Sequence, residues 1–239
     1  MSQNPVFSPQ RPVKALLFDL DGTLVDTELQ TDQAILEVMA RHGYPNLSLP
    51  ATDTRGRSWR DTVSAILART GSRISAATLE EELLSTWQRL IEQPNPLPGV
   101  VAALRRASGH FKLAVVSSSP TLVINHSLAA LGVDELIPAA ARIGADQLQR
   151  HKPFPDGFLL GAERLGTAID ACVVFEDSSA GLRAARSAGA SSVAVLRCSA
   201  EKEACRGLAD AAIDTYSSLD ESSWQVLRDR GPSAWGFTA

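Results

Sequence analysis

The sequence predicts an α/β fold: a doubly wound parallel sheet with an inserted α-helical subdomain. Three observations predict it. Short apolar runs without alternation recur along the chain, as strands buried on both faces require. Amphipathic stretches of helical period separate the later runs, and three of them end at a glycine. One long stretch after the first run holds helical patterns and no strand.

The first run is Val13-Lys14-Ala15-Leu16-Leu17-Phe18, ending at Asp19. Residues 27–95 then read as helices. Leu29, Ile35, Val38, Met39 and His42 share one helical face before Gly43. A second helix is expected to begin near Ser58, with Asp61 three residues on in capping-box fashion, and to stop at Gly71. In a third, Leu79, Leu83, Leu84, Trp87, Leu90 and Ile91 form a stripe of 3.6-residue period, ended by Pro94 and Pro96. Strands resume at Phe111 to Val116, Cys172 to Phe175 and Ser192 to Leu196. Helices at Leu122 to Leu131, Phe158 to Leu165 and Leu182 to Ala188 close at Gly132, Gly166 and Gly189. The expected organisation is a Rossmann-like core of residues 1–26 and 96–230, with a helical cap over 27–95. The connections fall near Asp26 and Pro94 to Pro98. Residues 231–239 show no pattern and are expected to be loosely attached.

Composition narrows the function. The net charge is −4 over 239 residues, and the basic residues are scattered without a block that could track a phosphate backbone, so no nucleic-acid partner is expected. No apolar run approaches the roughly 18 residues that span a bilayer, and the polar, proline-broken start lacks the apolar segment of a signal peptide. No membrane partner follows. Cys172, Cys198 and Cys205 are an odd count without CxxC spacing, which suits a reduced, cytoplasmic protein, and Cys172 reads as a small core residue.

In open α/β sheets ligands bind beyond the carboxyl ends of the strands. The residues at those ends are Asp19-Leu20-Asp21-Gly22-Thr23, Ser117-Ser118-Ser119 and Glu176-Asp177, with Arg150-His151-Lys152-Pro153 ahead of a helix. Acids, hydroxyls and one lysine together suit phosphoryl transfer. Asp19 and Asp177 supply oxygen ligands for a hard cation such as Mg²⁺, which offsets repulsion between a phosphate and an attacking carboxylate. Lys152 adds fixed positive charge, and Ser117, with Ser118 and nearby backbone N–H groups, donates to phosphate. Asp21 can protonate a leaving oxygen and later deprotonate water. Gly22 lets the chain turn tightly beside the site. For Asp19, Ser117 and Asp177 to meet around one phosphate, the first strand must lie between the second and the Glu176 strand.

At these residues the chain resembles the haloacid-dehalogenase-like superfamily, in its sugar-phosphatase and β-phosphoglucomutase-like branch. The motifs are Asp19-Leu20-Asp21-Gly22-Thr23-Leu24-Val25-Asp26, Val115-Val116-Ser117-Ser118-Ser119, His151-Lys152-Pro153-Phe154-Pro155-Asp156 and Phe175-Glu176-Asp177-Ser178-Ser179-Ala180-Gly181, in the family's order. The resemblance implies Asp19 as nucleophile, Asp21 as general acid/base, and Ser117 and Lys152 on phosphate. It implies Mg²⁺ held by Asp19, the main-chain carbonyl of Asp21 and Asp177, with Glu176 as a direct or outer ligand. Asp21 favours phosphate esters over the dehalogenase and phosphonate reactions of the fold. The expected partner is a small phosphorylated metabolite, and the expected state a monomer or small homo-oligomer. In β-phosphoglucomutase a histidine lies twelve residues after the nucleophile; here that position is Thr31, which favours hydrolysis over mutase chemistry. The alternatives left open are such a mutase and a catalytically silent phosphate-binding regulator. Within the cap, Arg55 and Arg57 are the expected readers of the substrate's remainder, against the plainer reading of a solvated helix start. Trp59 is expected to pack within the cap, against the alternative of stacking on a sugar, and His151 to be structural.

Overall fold

The computed structural model describes residues 12–50, 53–54, 57–91, 94–199 and 201–235. Arg55, one of the two arginines expected to read the substrate, and the Leu29 side chain lie outside what is described. The first strand, β1 (Ala15–Phe18), leads through a tight turn to the short β2 (Val25–Asp26). Three helices follow: α1 (Glu28–Arg41), α2 (Trp59–Thr70) and α3 (Ala76–Leu90). The chain returns through β3 (Asn95–Pro96), then alternates α4 (Val100–Ala107), β4 (Lys112–Val116), α5 (Thr121–Ala130), β5 (Arg142–Ile143), α6 (Asp156–Arg164), β6 (Cys172–Glu176), α7 (Ser179–Ala188), β7 (Ser191–Val195), α8 (Lys202–Leu208), β8 (Ala211–Ile213) and α9 (Glu221–Arg230).

Six strands form one parallel sheet in the order β5-β4-β1-β6-β7-β8. β1 is central, with Phe18 opposite Val115 on one side and Phe175 on the other. All four of its residues are fully buried, and alternate ones serve opposite layers. Leu16 and Phe18 pack in the cluster that holds Leu104 of α4, Ile124 of α5 and Trp224 of α9. Ala15 and Leu17 face Phe158 of α6 and Ala184 of α7. Burial on both faces is why these strands carry no polar alternation.

The three inserted helices follow local signals. Ser58 Oγ caps α2 by accepting from the Asp61 backbone N–H, and Gly71 closes it at φ 63°. In α3 the buried residues are Leu79, Leu83, Thr86 and Trp87, the apolar stripe facing α1 and α2. Each such large apolar side chain contributes about 1.5–3 kcal/mol on burial, far above the few tenths from an exposed helical ion pair. β2 and β3 pair antiparallel, Val25 opposite Pro96 and Asp26 opposite Asn95, so the two crossings between the helices and the sheet run side by side.

The chain end departs from expectation. Residues 232–235 form a short 3₁₀ turn, and Trp235 packs 6.2 Å from the Phe175 ring and 6.1 Å from Trp224, donating Nε1 to the Ser223 carbonyl at 2.7 Å. Gly231 and Pro232 break the helix, as the sequence suggests, but the indole behind them supplies enough apolar area to hold the segment down. Residues 236–239 lie outside the described part. No described helix is long and apolar enough to cross a membrane.

Candidate active site

The carboxyl ends of β1, β4 and β6 converge, and the side chains they deliver meet. Asp19 continues the ladder, donating its N–H to the Phe175 carbonyl at 2.9 Å. The next residues turn sharply: Gly22 adopts φ 84° and donates to the Val25 carbonyl at 2.7 Å. A Cβ at Gly22 would overlap the Asp177 carboxylate, so glycine here brings the first loop directly onto an acid of another strand.

Lys152 reaches this point from the loop before α6. Its Nζ donates to Asp19 Oδ1 at 2.5 Å and to Glu176 Oε1 at 2.6 Å, with Lys152 and Asp19 nearly buried and Glu176 fully so. Burial alone would lower the lysine's pKa, but Asp19 and Glu176 outweigh it and hold the ammonium above its usual range. Glu176 is anchored from its other side: Oε2 accepts the N–H and Oγ–H of Ser178 at 2.7 and 2.9 Å. Ser178 in turn caps α7 through the Gly181 N–H, and a Cβ at Gly181 would overlap the Glu176 carboxylate.

Asp21 has different company. Its Oδ2 accepts from Ser119 Oγ at 2.7 Å and Ser117 Oγ at 3.3 Å, and its Oδ1 from Thr27 Oγ1 at 2.8 Å. Burial raises its pKa above the usual carboxylate value, and the three hydroxyls offset only part of that. Burial likewise raises Asp19, opposed by Lys152 and reinforced by Glu176 and Asp21. Ser117 Oγ also accepts the Ser119 N–H at 2.9 Å.

Asp19 and Glu176 thus hold one buried lysine between them, with Asp21 and Asp177 close by. Ligand oxygens of Asp19, Glu176 and Asp177 lie within 4.8 Å of one another. The excess of buried negative charge and the all-oxygen donor set fit a hard divalent cation.

These residues lie within the span 16–195 that matches the family model for haloacid dehalogenase-like hydrolases. The chain belongs to that family. Among curated relatives, the fructose-1-phosphate phosphatase of Escherichia coli K12 is 33% identical over 181 residues, covering 75% of this chain and 95% of that protein. Hexitol phosphatase A of the same organism is 31% identical over 185 residues, covering 76% and 82%. Among solved structures, a β-phosphoglucomutase from Clostridium difficile superposes with a TM-score of 0.75 at 24% identity, over 89% of this chain and 96% of that one. That likeness is one of fold.

Of the residues singled out from sequence in this family member, Asp19, Asp21, Ser117, Lys152, Glu176 and Asp177 come together as described. Ser118 and Arg57 line the cavity above Asp19 and Asp21, and Arg57 is exposed. Sequence reasoning named Ser119 only as part of a strand end and did not single out Thr27, yet the hydroxyls of both hold Asp21. Trp59 and Trp87 are nearly buried, as packing within the cap requires, and both rings also line the cavity. Thr31 lines it too, accepting from Trp87 Nε1 at 3.1 Å, and no described histidine does.

Proposed function

We propose that the protein is a magnesium-dependent phosphatase that hydrolyses a small phosphomonoester, of a sugar, polyol or sugar acid, through an aspartyl phosphate on Asp19. The observation that carries this reading is the buried Asp19–Lys152 pair beside a second carboxyl group, Asp21, held by hydroxyls. Asp19 is the carboxylate positioned for attack, and Lys152 supplies the positive charge that a phosphoryl oxygen would meet. Asp21 donates a proton to the leaving oxygen as the bond from Asp19 to phosphorus forms. It then takes a proton from the water that cleaves the aspartyl phosphate, releasing phosphate and restoring both acids. Ser117 and Ser118 donate to the phosphoryl oxygens.

Mg²⁺ would be held by Asp19, the main-chain carbonyl of Asp21 and Asp177, with Glu176 directly or through water; when bound it neutralises charge on the phosphate. Because Glu176 already holds Lys152 and Ser178, orientation of the lysine is part of its task. The helices of residues 27–95 act as a cap that excludes bulk water and reads the remainder of the substrate, and at least one of Arg55 and Arg57 pairs with its polar groups; Arg57 lines the cavity. The names of the two Escherichia coli relatives support a phosphorylated sugar or polyol. The odd cysteine count without CxxC spacing supports a reducing, cytoplasmic setting.

The fold's likeness to a β-phosphoglucomutase keeps a mutase as the second reading. Thr31, in place of that enzyme's histidine, weighs towards hydrolysis. Incubation with Mg²⁺ and a phosphate-ester panel, assaying both free phosphate and isomerised product, separates the two. Release of phosphate by wild type and its loss in Asp19→Asn, with an unchanged circular dichroism spectrum, is the expected result. An active Asp19→Asn protein, verified free of deamidation, rules the mechanism out.

A further inference from the structure

Two cavities meet at one indole. The inner one, over Asp19 and Asp21, measures about 60 Å³. A second, of about 190 Å³, lies between α2 and α3 on one side and the core on the other, with Arg60, Glu80, Leu84, Ala145 and His151 among its lining. Among the described residues, Trp59 and Ser118 line both, and Trp59 is much the larger.

Trp59 is held where it stands. It is 8% exposed, and its ring meets Trp87 edge to face, with centroids 6.0 Å apart at 71°. Trp87 is in turn fixed by its N–H bond to Thr31 Oγ1; that hydroxyl donates to the Thr27 carbonyl at 3.0 Å, and Thr27 Oγ1 donates to Asp21. A packed ring backed by a hydrogen-bonded chain cannot swing aside without disturbing the residues that hold Asp21.

We propose that Trp59 is a specificity-determining partition. It confines the leaving group to the inner cavity, so the enzyme selects phosphate esters of compact sugars and polyols over esters that continue into a second sugar ring. The outer groove has groups a hydroxylated remainder would need, Arg60 and Glu80. The wall, rather than the chemistry beyond it, excludes the longer ester. This inference rests on the phosphatase reading above.

The test is kcat/KM for a hexitol phosphate and for a disaccharide 6-phosphate, each taken relative to p-nitrophenyl phosphate in the same variant. Trp59→Ala joins the two cavities and should raise the disaccharide-to-hexitol ratio by about tenfold or more, the scale on which a pocket wall discriminates by size. Adding Glu80→Trp to that variant refills the groove and should return the ratio towards wild type. Should Trp59→Ala fail to fold, Trp59→Leu, smaller but still apolar, is measured in the same way. An unchanged ratio in a folded variant and an active wild type overturns the partition alone. A wild type that releases phosphate from none of the three esters overturns the phosphatase reading, and the partition with it.

Discussion

Asp19 and Asp21 sit two residues apart and yet keep opposite company. A lysine stands against Asp19, and three hydroxyls against Asp21. An ammonium favours a carboxylate ready to attack, whereas hydroxyls can serve a carboxyl group in either protonation state because each can donate or accept. Asp21→Asn should therefore cost about 10²–10⁴-fold on an unactivated sugar phosphate, the usual contribution of a general acid–base. The deficit should shrink on p-nitrophenyl phosphate, whose leaving group needs little protonation. Equal losses on both esters, measured as kcat, would point to structural damage instead. The residues that meet here stood at strand ends, and a parallel sheet brings strand ends together, so their convergence was readable in advance. The hold of Ser119 and Thr27 on Asp21 was not, because whether a hydroxyl reaches a carboxylate depends on a rotamer and on a loop path that spacing does not specify.

Elements position these side chains through close approaches of backbone to carboxylate. At Gly22 any side chain would face two penalties: φ 84° costs an L-residue about 1–2 kcal/mol, and its Cβ would overlap Asp177. Gly22→Ala is expected to displace Asp177 and weaken Mg²⁺ by about 10–100-fold, as disturbances around a metal ligand do. A Mg²⁺ titration of activity, alongside calorimetry, checks this; an unaltered titration midpoint would remove Asp177 from the proposed ligand set. At this scale the sequence was legible where apolar runs are long enough to stand out, as in β1, β4, β6 and β7. β5 has two residues and β8 three, and neither makes a run. Nor did α9 announce itself: its box of Asp220 with Ser223 lies in a polar stretch where only Trp224 and Leu227 are buried.

Across the whole molecule, Asp19 and Asp177, two of the proposed ligands of the cation, stand more than 150 residues apart in the chain. A cation that binds them binds only the folded chain. Mg²⁺ at 100 times its dissociation constant should add about 2.7 kcal/mol and raise Tm by roughly 5–10 °C. Thiol labelling gives a second readout. Burial pushes Cys172 up to about 12 and Cys205 up to about 11, so both stay protonated at pH 8 and should react with iodoacetamide only as the protein opens. Cys205 donates to the Asp177 carbonyl at 3.2 Å, so Mg²⁺ should slow its labelling more than that of Cys172, as followed by mass spectrometry. Rapid labelling of both in the native protein would contradict the packing. The packing of Trp235 belongs to this scale too: it finds its place against Phe175 and Trp224, partners 60 and 11 residues away, which no local pattern indicates.

The pairing of β2 with β3 has a mechanical consequence. Two separate tethers would leave the inserted helices free to slide, twist and tilt against the sheet. Bonded to each other, and extended by the Leu97 N–H to Leu24 carbonyl bond at 3.0 Å, the crossings are expected to move as one leaf with a single soft rotation. Any other displacement has to break part of the ladder. Motion of the helices against the sheet is then expected to follow one arc, and a pair of spin labels across the leaf should trace one distance coordinate rather than a cloud.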